Sequence, residues 1–221
     1  MGQALLRLAV ERADFQVVAA VSQKVAQRVV DGVPQFNANE LAGVPAFDVA
    51  VDFSQPEGFD RILSLCAHRS VALVSGTTGL SDAQKAAIDD AATRIAVLWA
   101  SNFSLGVAVM TSLAERAARA LSGWDCDIIE AHHSSKRDAP SGTALSLGAA
   151  AERGGATVRY ASLRAGDIVG EHTVQFTTQG ERIELIHRAG NRDIFARGAL
   201  HAATRLVGHA PGAYTLADLI D

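Results

Sequence analysis

Leu5, Leu8, Ala9 and Ala13 fall on one helical face, so residues 2–13 are read as a helix. Residues 15–21 (FQVVAAV) form a continuous apolar run that predicts a buried strand. Similar runs follow at 47–53 (FDVAVDF), 71–75 (VALVS) and 95–99 (IAVLW), with helices expected after Pro56 and over residues 82–93, the latter capped by Ser81. Short apolar strands alternating with helices describe a parallel sheet covered on both faces. Right-handed crossovers then collect the loops after these strands along one sheet edge. Those loops are small and polar: Ser22-Gln23, residues 54–58, Gly76-Thr77-Thr78-Gly79 and Ser101-Asn102-Phe103-Ser104.

The texture changes after a long helix expected over about residues 103–121. A strand at 126–133 (CDIIEAHH) and a helix at 140–153 precede three strand-like segments with no helix between them, VRYASLRAG, GEHTVQFTT and GERIELIHRA. Strands joined through Gly-containing turns and partly alternating in polarity predict an open, mostly antiparallel sheet. Residues 194–207 and 215–220 return to helix. The expected class is therefore α/β: a parallel-sheet domain followed by an α+β domain with an open, mostly antiparallel sheet.

The 221 residues are 48% hydrophobic and carry a net charge of -4 with a pI near 6.0, so no basic surface is offered to nucleic acid. Only 5% are aromatic, which leaves few platforms for stacked bases. Cys66 and Cys126 lie far apart without a C-x-x-C pair, which fits a reducing cytoplasm better than a disulfide framework. No apolar run approaches the roughly 18 residues of a membrane span, and no membrane partner is expected.

The densest polar cluster is residues 130–143, EAHHSSKRDAPSGT. On a strand His132 and His133 point to opposite faces, so no metal site is expected. Lys136 brings positive charge, and Pro140-Ser141-Gly142-Thr143 opens a helix whose N–H groups suit a carboxylate. Ser141 is read equally well as a helix cap. His132, beside Glu130, His133 and Lys136, is a candidate acid because imidazole titrates near neutrality. A hydrolase built on Ser141 would require ester or amide turnover abolished by Ser141→Ala, and the G-x-S-x-G elbow of such enzymes is not present around it. Gly76-Thr77-Thr78-Gly79 and Asn102-Phe103-Ser104-x-Gly106 each follow a strand and precede a helix, an arrangement that favours a nucleotide.

These residues resemble the dihydrodipicolinate reductase family of lysine and diaminopimelate biosynthesis. EAHHSSKRDAPSGTA (130–144) is similar to the family signature E-x-H-H-x-x-K-x-D-x-P-S-G-T-A, and SGTTG (75–79), ASNFSLGV (100–107) and RAGDIVGEHTV (164–174) resemble further blocks in the same order. The resemblance implies a Rossmann-type dinucleotide-binding domain formed by residues 1–103 and 194–221, a substrate-binding and tetramerisation domain formed by residues 104–193, and a cytoplasmic homotetramer that uses NADH or NADPH to reduce a cyclic dicarboxylate. It implies His132 and Lys136 as catalytic residues, and His133, Lys136, Ser141, Gly142 and Thr143 as substrate contacts. For the cofactor it implies Gly76, Thr77, Thr78, Ser101, Asn102, Phe103, Arg192 and Phe195.

Two departures stand out. Members begin with a strand and a Gly-rich loop ending in G-R-M-G, whereas this sequence opens on Met1-Gly2, so most of that loop is expected to be missing. A chain without it would be weak or inactive, a scaffold that binds dicarboxylates but not the dinucleotide. Members also often carry an acidic residue for the ribose where this chain has Ser22-Gln23, which leaves NADPH unrepelled.

Overall fold

In the computed structural model, which describes residues 1–220, the apolar runs of the first half become parallel strands. β4 (Val49–Asp52), β5 (Ala72–Ser75) and β6 (Ala96–Trp99) pair side by side, and β11 (Gly212–Tyr214) adds to β6, giving the order β11-β6-β5-β4. The crossovers are α2 (Pro56–Arg69) and α3 (Asp82–Ala92). Pro56 opens α2, where its missing N–H costs nothing, and Phe59, Leu63 and Cys66 form the stripe that packs on Leu73 and Val97. Ser81 and Gln84 close a reciprocal capping box at the start of α3. These elements belong to a unit made of residues 1–103 and the segment from Phe195 onward, which also holds α1 (Gly2–Val10) and most of α6 (Asp193–Leu206).

Residues 15–21 depart from the expected buried strand. Only β1 (Ala20–Ser22) is paired, in parallel with β3 (Val33–Asn37), which in turn pairs antiparallel with β2 (Val29–Val30). The rest of the run lies outside any strand and is at most half-buried, facing a cavity of about 1040 Å3 lined also by Leu5 of α1, Val49 and Val51 of β4, and Leu200 of α6. An apolar run becomes a buried strand only when neighbours pair its edges and cover its faces. The strand β11 was not foreseen at all, because three residues after Pro211 carry no periodic signal.

Residues 104–194 form the other unit. Here α4 (Leu105–Ala120) and α5 (Gly142–Arg153) lie on one face of a sheet of order β10-β9-β7-β8, built from β7 (Asp125–His132), β8 (Val158–Arg164), β9 (Glu171–Thr178) and β10 (Glu181–Arg188). All neighbours are antiparallel except β7 and β8, which α5 connects. Alternation along β7 turns Cys126, Ile128, Glu130 and His132 to the helix-covered face, and β9 turns His172, Val174 and Phe176 the same way. Met110, Ala114, Leu147 and Ala151 fill the apolar part of that face. Its polar end is where Glu130, His132 and His172 converge.

Candidate active site

Register sets Glu130 on β7 opposite His172 on β9, with Ser162 of β8 on its other side. The Glu130 side chain is 1% exposed. Its Oε1 accepts from Arg164 Nη2 at 2.6 Å and from the Ser141 backbone N–H at 3.3 Å, and its Oε2 accepts from Arg164 Nη1 at 2.8 Å. The same Oε2 lies 2.5 Å from His132 Nδ1. Burial alone would raise this carboxyl, but hydrogen bonds from Arg164, Ser162 and His132 outweigh it and hold it at about 2. His172 is pushed down to about 4, first by burial and then by the neighbouring His132 and His187. It is therefore a neutral ring, 5.1 Å from that of His132 in an edge-on arrangement.

The residues singled out around the second-half motif meet here. His132 ends β7, buried, with Nδ1 turned to Glu130. His133, half-buried, follows on the other side, and its Nδ1 pairs with Ser135 Oγ at 2.8 Å. Lys136 Nζ donates to both Asp138 oxygens, at 2.7 and 2.9 Å. Asp138 is held below the usual carboxylate range chiefly by Lys136, with the Gly142 N–H contributing at the start of α5. An internal carboxylate thus sits on the cation and on the helix terminus. The helix begins at Gly142, two residues later than expected, with Ser141 as its cap.

Ser141 is buried, and its Oγ accepts from the Ala144 N–H at 3.2 Å while pairing with His172 Nε2 at 3.2 Å. This Ser–His contact lacks the third member of a hydrolytic triad, since His172 Nδ1 has no partner among the described residues. Arg164 and His172 were not foreseen. A histidine in register with Val174 and Phe176 on the inward face of an alternating strand was the available signal.

In the unit formed by residues 1–103 and the segment from Phe195, the loops after the parallel strands are tied by Asp52. Its Oδ2 accepts from Ser75 Oγ and Thr77 Oγ1, both at 2.7 Å, and its Oδ1 accepts from the Ser54 N–H at 3.0 Å. Trp99 Nε1 donates to the Thr77 carbonyl at 2.8 Å. Thr77 is buried and faces inward, whereas Thr78 and Ser101 are exposed and Gly76 and Asn102 half-buried. Gly76 lies against the Phe53 ring where a Cβ would collide, and Phe53 packs 5.4 Å from the buried ring of Phe103. Gly79, with φ at 77°, makes the turn into α3. The lining of the cavity in this unit includes Gly2 of α1, Ser22, Phe53 and Ser54, so a helix N-terminus and the loops after β1 and β4 face one space, while the Gly76–Gly79 and Ser101–Ser104 loops lie outside that lining. That donor set suits a dinucleotide. Phe195, half-buried, lies in the first turn of α6; Arg192 is exposed just before it, in the unit of residues 104–194.

A solved dihydrodipicolinate reductase from Paenisporosarcina sp. TG-14, described as dipicolinate-bound, superposes with a TM-score of 0.81 at 22% identity, over 99% of this chain and 95% of the other. The 4-hydroxy-tetrahydrodipicolinate reductase of Stenotrophomonas maltophilia (strain K279a) is 68% identical over 222 residues, 100% of this chain and 93% of the relative. That of Xylella fastidiosa (strain 9a5c) is 62% identical over 221 residues, with the same coverage. A Rossmann-like sheet and a mixed second sheet, in a chain so close to reductases, define an NAD(P)H-dependent oxidoreductase. Residues 1–103 match the family model for the dihydrodipicolinate reductase N-terminus and residues 106–220 that for its C-terminus. The chain belongs to the dihydrodipicolinate reductase family.

Proposed function

We propose that the two units divide the labour of one reaction, the NAD(P)H-dependent reduction of 4-hydroxy-tetrahydrodipicolinate to tetrahydrodipicolinate. The observation that carries this reading is the assembly at the polar end of the second sheet: one ammonium, one helix N-terminus and one imidazole held through its Nδ1 by Glu130. Lys136, His133 and the Gly142–Thr143 turn hold the two carboxylates of the substrate, with Ser141 keeping the turn in shape. The reaction adds one hydride and one proton to the ring and releases the 4-hydroxyl group as water; His132 gives a proton from Nε2, and Lys136 assists as a second donor. Gly76, Thr77, Thr78, Ser101, Asn102, Phe103, Arg192 and Phe195 are assigned to the dinucleotide, with Thr77 acting from beneath the loop. Bound there, the nicotinamide supplies the hydride.

The test is steady-state oxidation of NADH and NADPH with the substrate generated in place by the preceding synthase. His132→Ala is expected to lower turnover about 10²-fold or more, with cofactor affinity retained. Turnover that survives both His132→Ala and Lys136→Ala would overturn the assignment.

The helix-free face of the second sheet supports a homotetramer. Ile186, Thr173, Ile129 and Ala161 stand in one row across it, and Leu163 adds to the patch. Ile129, Ile186 and Leu163 are 41%, 47% and 56% exposed, an apolar strip of the kind that marks an interface. Ile129→Glu should dissociate the assembly in light scattering; an unchanged mass would remove this face from it. The cytoplasm is the expected compartment, since Cys66 and Cys126 are both buried and unpaired. Among the described residues, no helix is long and apolar enough to cross a membrane.

A further inference from the structure

Glu130 is a buried carboxylate that joins His132, Arg164 and the Ser141 backbone in the second-sheet site. Donors reach it from both Nη atoms of Arg164, the Ser141 N–H, His132 Nδ1 and the Ser162 side chain. Arg164 is fixed in turn, because Nη1 also donates to the Leu163 carbonyl at 2.7 Å and Nη2 to the Asp138 carbonyl at 2.6 Å. A planar guanidinium gripping both carboxylate oxygens prevents the group from rotating. A carboxylate paired in this way only accepts hydrogen bonds, so the proton between Glu130 and His132 must sit on Nδ1. That leaves Nε2 to exchange protons with the substrate. The neighbouring backbone agrees: a Cβ at Gly170 would come within 3.0 Å of His132 Nε2, and glycine keeps that side clear.

We infer that Glu130, clamped by Arg164, is a positioning residue for the reduction: it fixes the His132 tautomer and ties the acid to the start of α5, where the substrate carboxylate is held. This rests on the reading of His132 as proton donor. The arrangement also accounts for a buried ion pair where an apolar pair would stabilise the fold as well. One carboxylate sets both the nitrogen that reacts and its offset from the anion-holding turn.

The experiment begins with the unaltered protein, labelled with 15N-histidine and assigned through the signal lost in His132→Ala. The neutral His132 ring is expected to carry its proton on Nδ1. Glu130→Gln keeps an oxygen for Arg164 but presents an amide N–H2 to His132, which should reverse the tautomer. Its kcat is expected to fall roughly 10- to 100-fold, the scale of a misplaced acid. KM and the Kd for pyridine-2,6-dicarboxylate should stay within about threefold, because carboxylate binding is not what is removed. A neutral ring whose single proton sits on Nε2 in the unaltered protein would overturn the inference whether or not the variant folds, whereas the doubly protonated ring is the form that donates from Nε2. So would a Glu130→Gln enzyme with unchanged kcat, or one whose kcat falls only in step with dicarboxylate affinity. Wild-type turnover by His132→Ala would instead sink the proton-donor reading while leaving the tautomer result standing.

Discussion

Thr77 donates its hydroxyl to the carboxylate of Asp52 at 2.7 Å, although Asp52 ends β4 and Thr77 follows β5. The same carboxylate also accepts from Ser75 and from the Ser54 N–H, so one buried acid holds two loops at the sheet edge. Asp52→Ala leaves these donors without an acceptor, at about 1–3 kcal/mol for each buried group left unsatisfied. The expected result is a lower melting temperature and NADPH affinity weakened roughly tenfold or more, with pyridine-2,6-dicarboxylate binding retained. Thr77→Val should act in the same direction and less strongly. Calorimetric titrations with both ligands check this, and unchanged NADPH affinity would detach the Gly76–Gly79 loop from the cofactor.

Why some of this was legible in the sequence and some was not follows from contact range. The parallel strands at 49–52, 72–75 and 96–99 were readable because a buried strand announces itself as a local apolar run. The same signal overstated residues 15–21, where pairing is confined to Ala20–Ser22, because a run does not say what lies at its edges. The helix start at Ser141 and the cation at Lys136 lie within one short motif and were read together. Arg164 and His172 reach Glu130 and Ser141 from strands more than twenty residues away in sequence, and Asp52 reaches Thr77 from a different strand. Side-chain pairing across strands depends on register, which alternation suggests only weakly.

In the free protein Lys136 is engaged with Asp138, so a bound dicarboxylate must compete with an internal one. Lys136→Ala is expected to weaken pyridine-2,6-dicarboxylate binding by roughly 1.5–3 kcal/mol, the range for a hydrogen bond to a charged group. Asp138→Asn should do the reverse and tighten binding, by about two- to fivefold, since a solvent-exposed ion pair is a weak competitor. Isothermal titration of the two variants distinguishes the effects. A weaker complex in Asp138→Asn would mean that Asp138 orients Lys136 for the ligand instead of blocking it.

Buried His172 and half-buried His187 are expected to make the fold less stable in acid. Burial holds His172 at about 4 against an ordinary 6.5, and lowers His187 in the same direction. As pH falls from about 6.5 to 4 the unfolded chain takes up protons that the folded chain refuses, so stability declines across that window. For His172 the full effect is roughly 3 kcal/mol. Glu130 acts lower: held at about 2, it contributes stability above its ordinary 4.5 that is lost as pH drops toward 2. His172→Asn carries no titrating proton and should flatten the dependence of the urea midpoint on pH between about 6.5 and 4, leaving the part due to His187. An unchanged slope would show that His172 titrates normally in the folded state.

Cofactor choice is expected to depend on the tip of β1. In Rossmann-type folds an acidic residue near such a tip receives the ribose hydroxyls of NADH and repels the phosphate of NADPH. Here the position holds Ser22 and Gln23. The Ser22 hydroxyl is turned back to the Lys24 carbonyl at 2.8 Å, and Asn37 Nδ2 holds the Gln23 carbonyl at 2.8 Å. What the tip leaves exposed is therefore the Gln23 amide and the Lys24 ammonium, a neutral donor and a cation. Neither disfavours a phosphate, and Lys24 attracts one. NADPH should be used at least as efficiently as NADH, and Lys24→Ala should reduce kcat/KM for NADPH while leaving that for NADH nearly unchanged. Gln23→Asp restores the ribose acceptor and adds repulsion, so the NADH to NADPH ratio of kcat/KM should rise by roughly tenfold or more, the equivalent of one charged hydrogen bond. Initial rates with each nucleotide at fixed dicarboxylate substrate measure both ratios. A Gln23→Asp enzyme with an unaltered ratio would place the ribose elsewhere on this sheet edge.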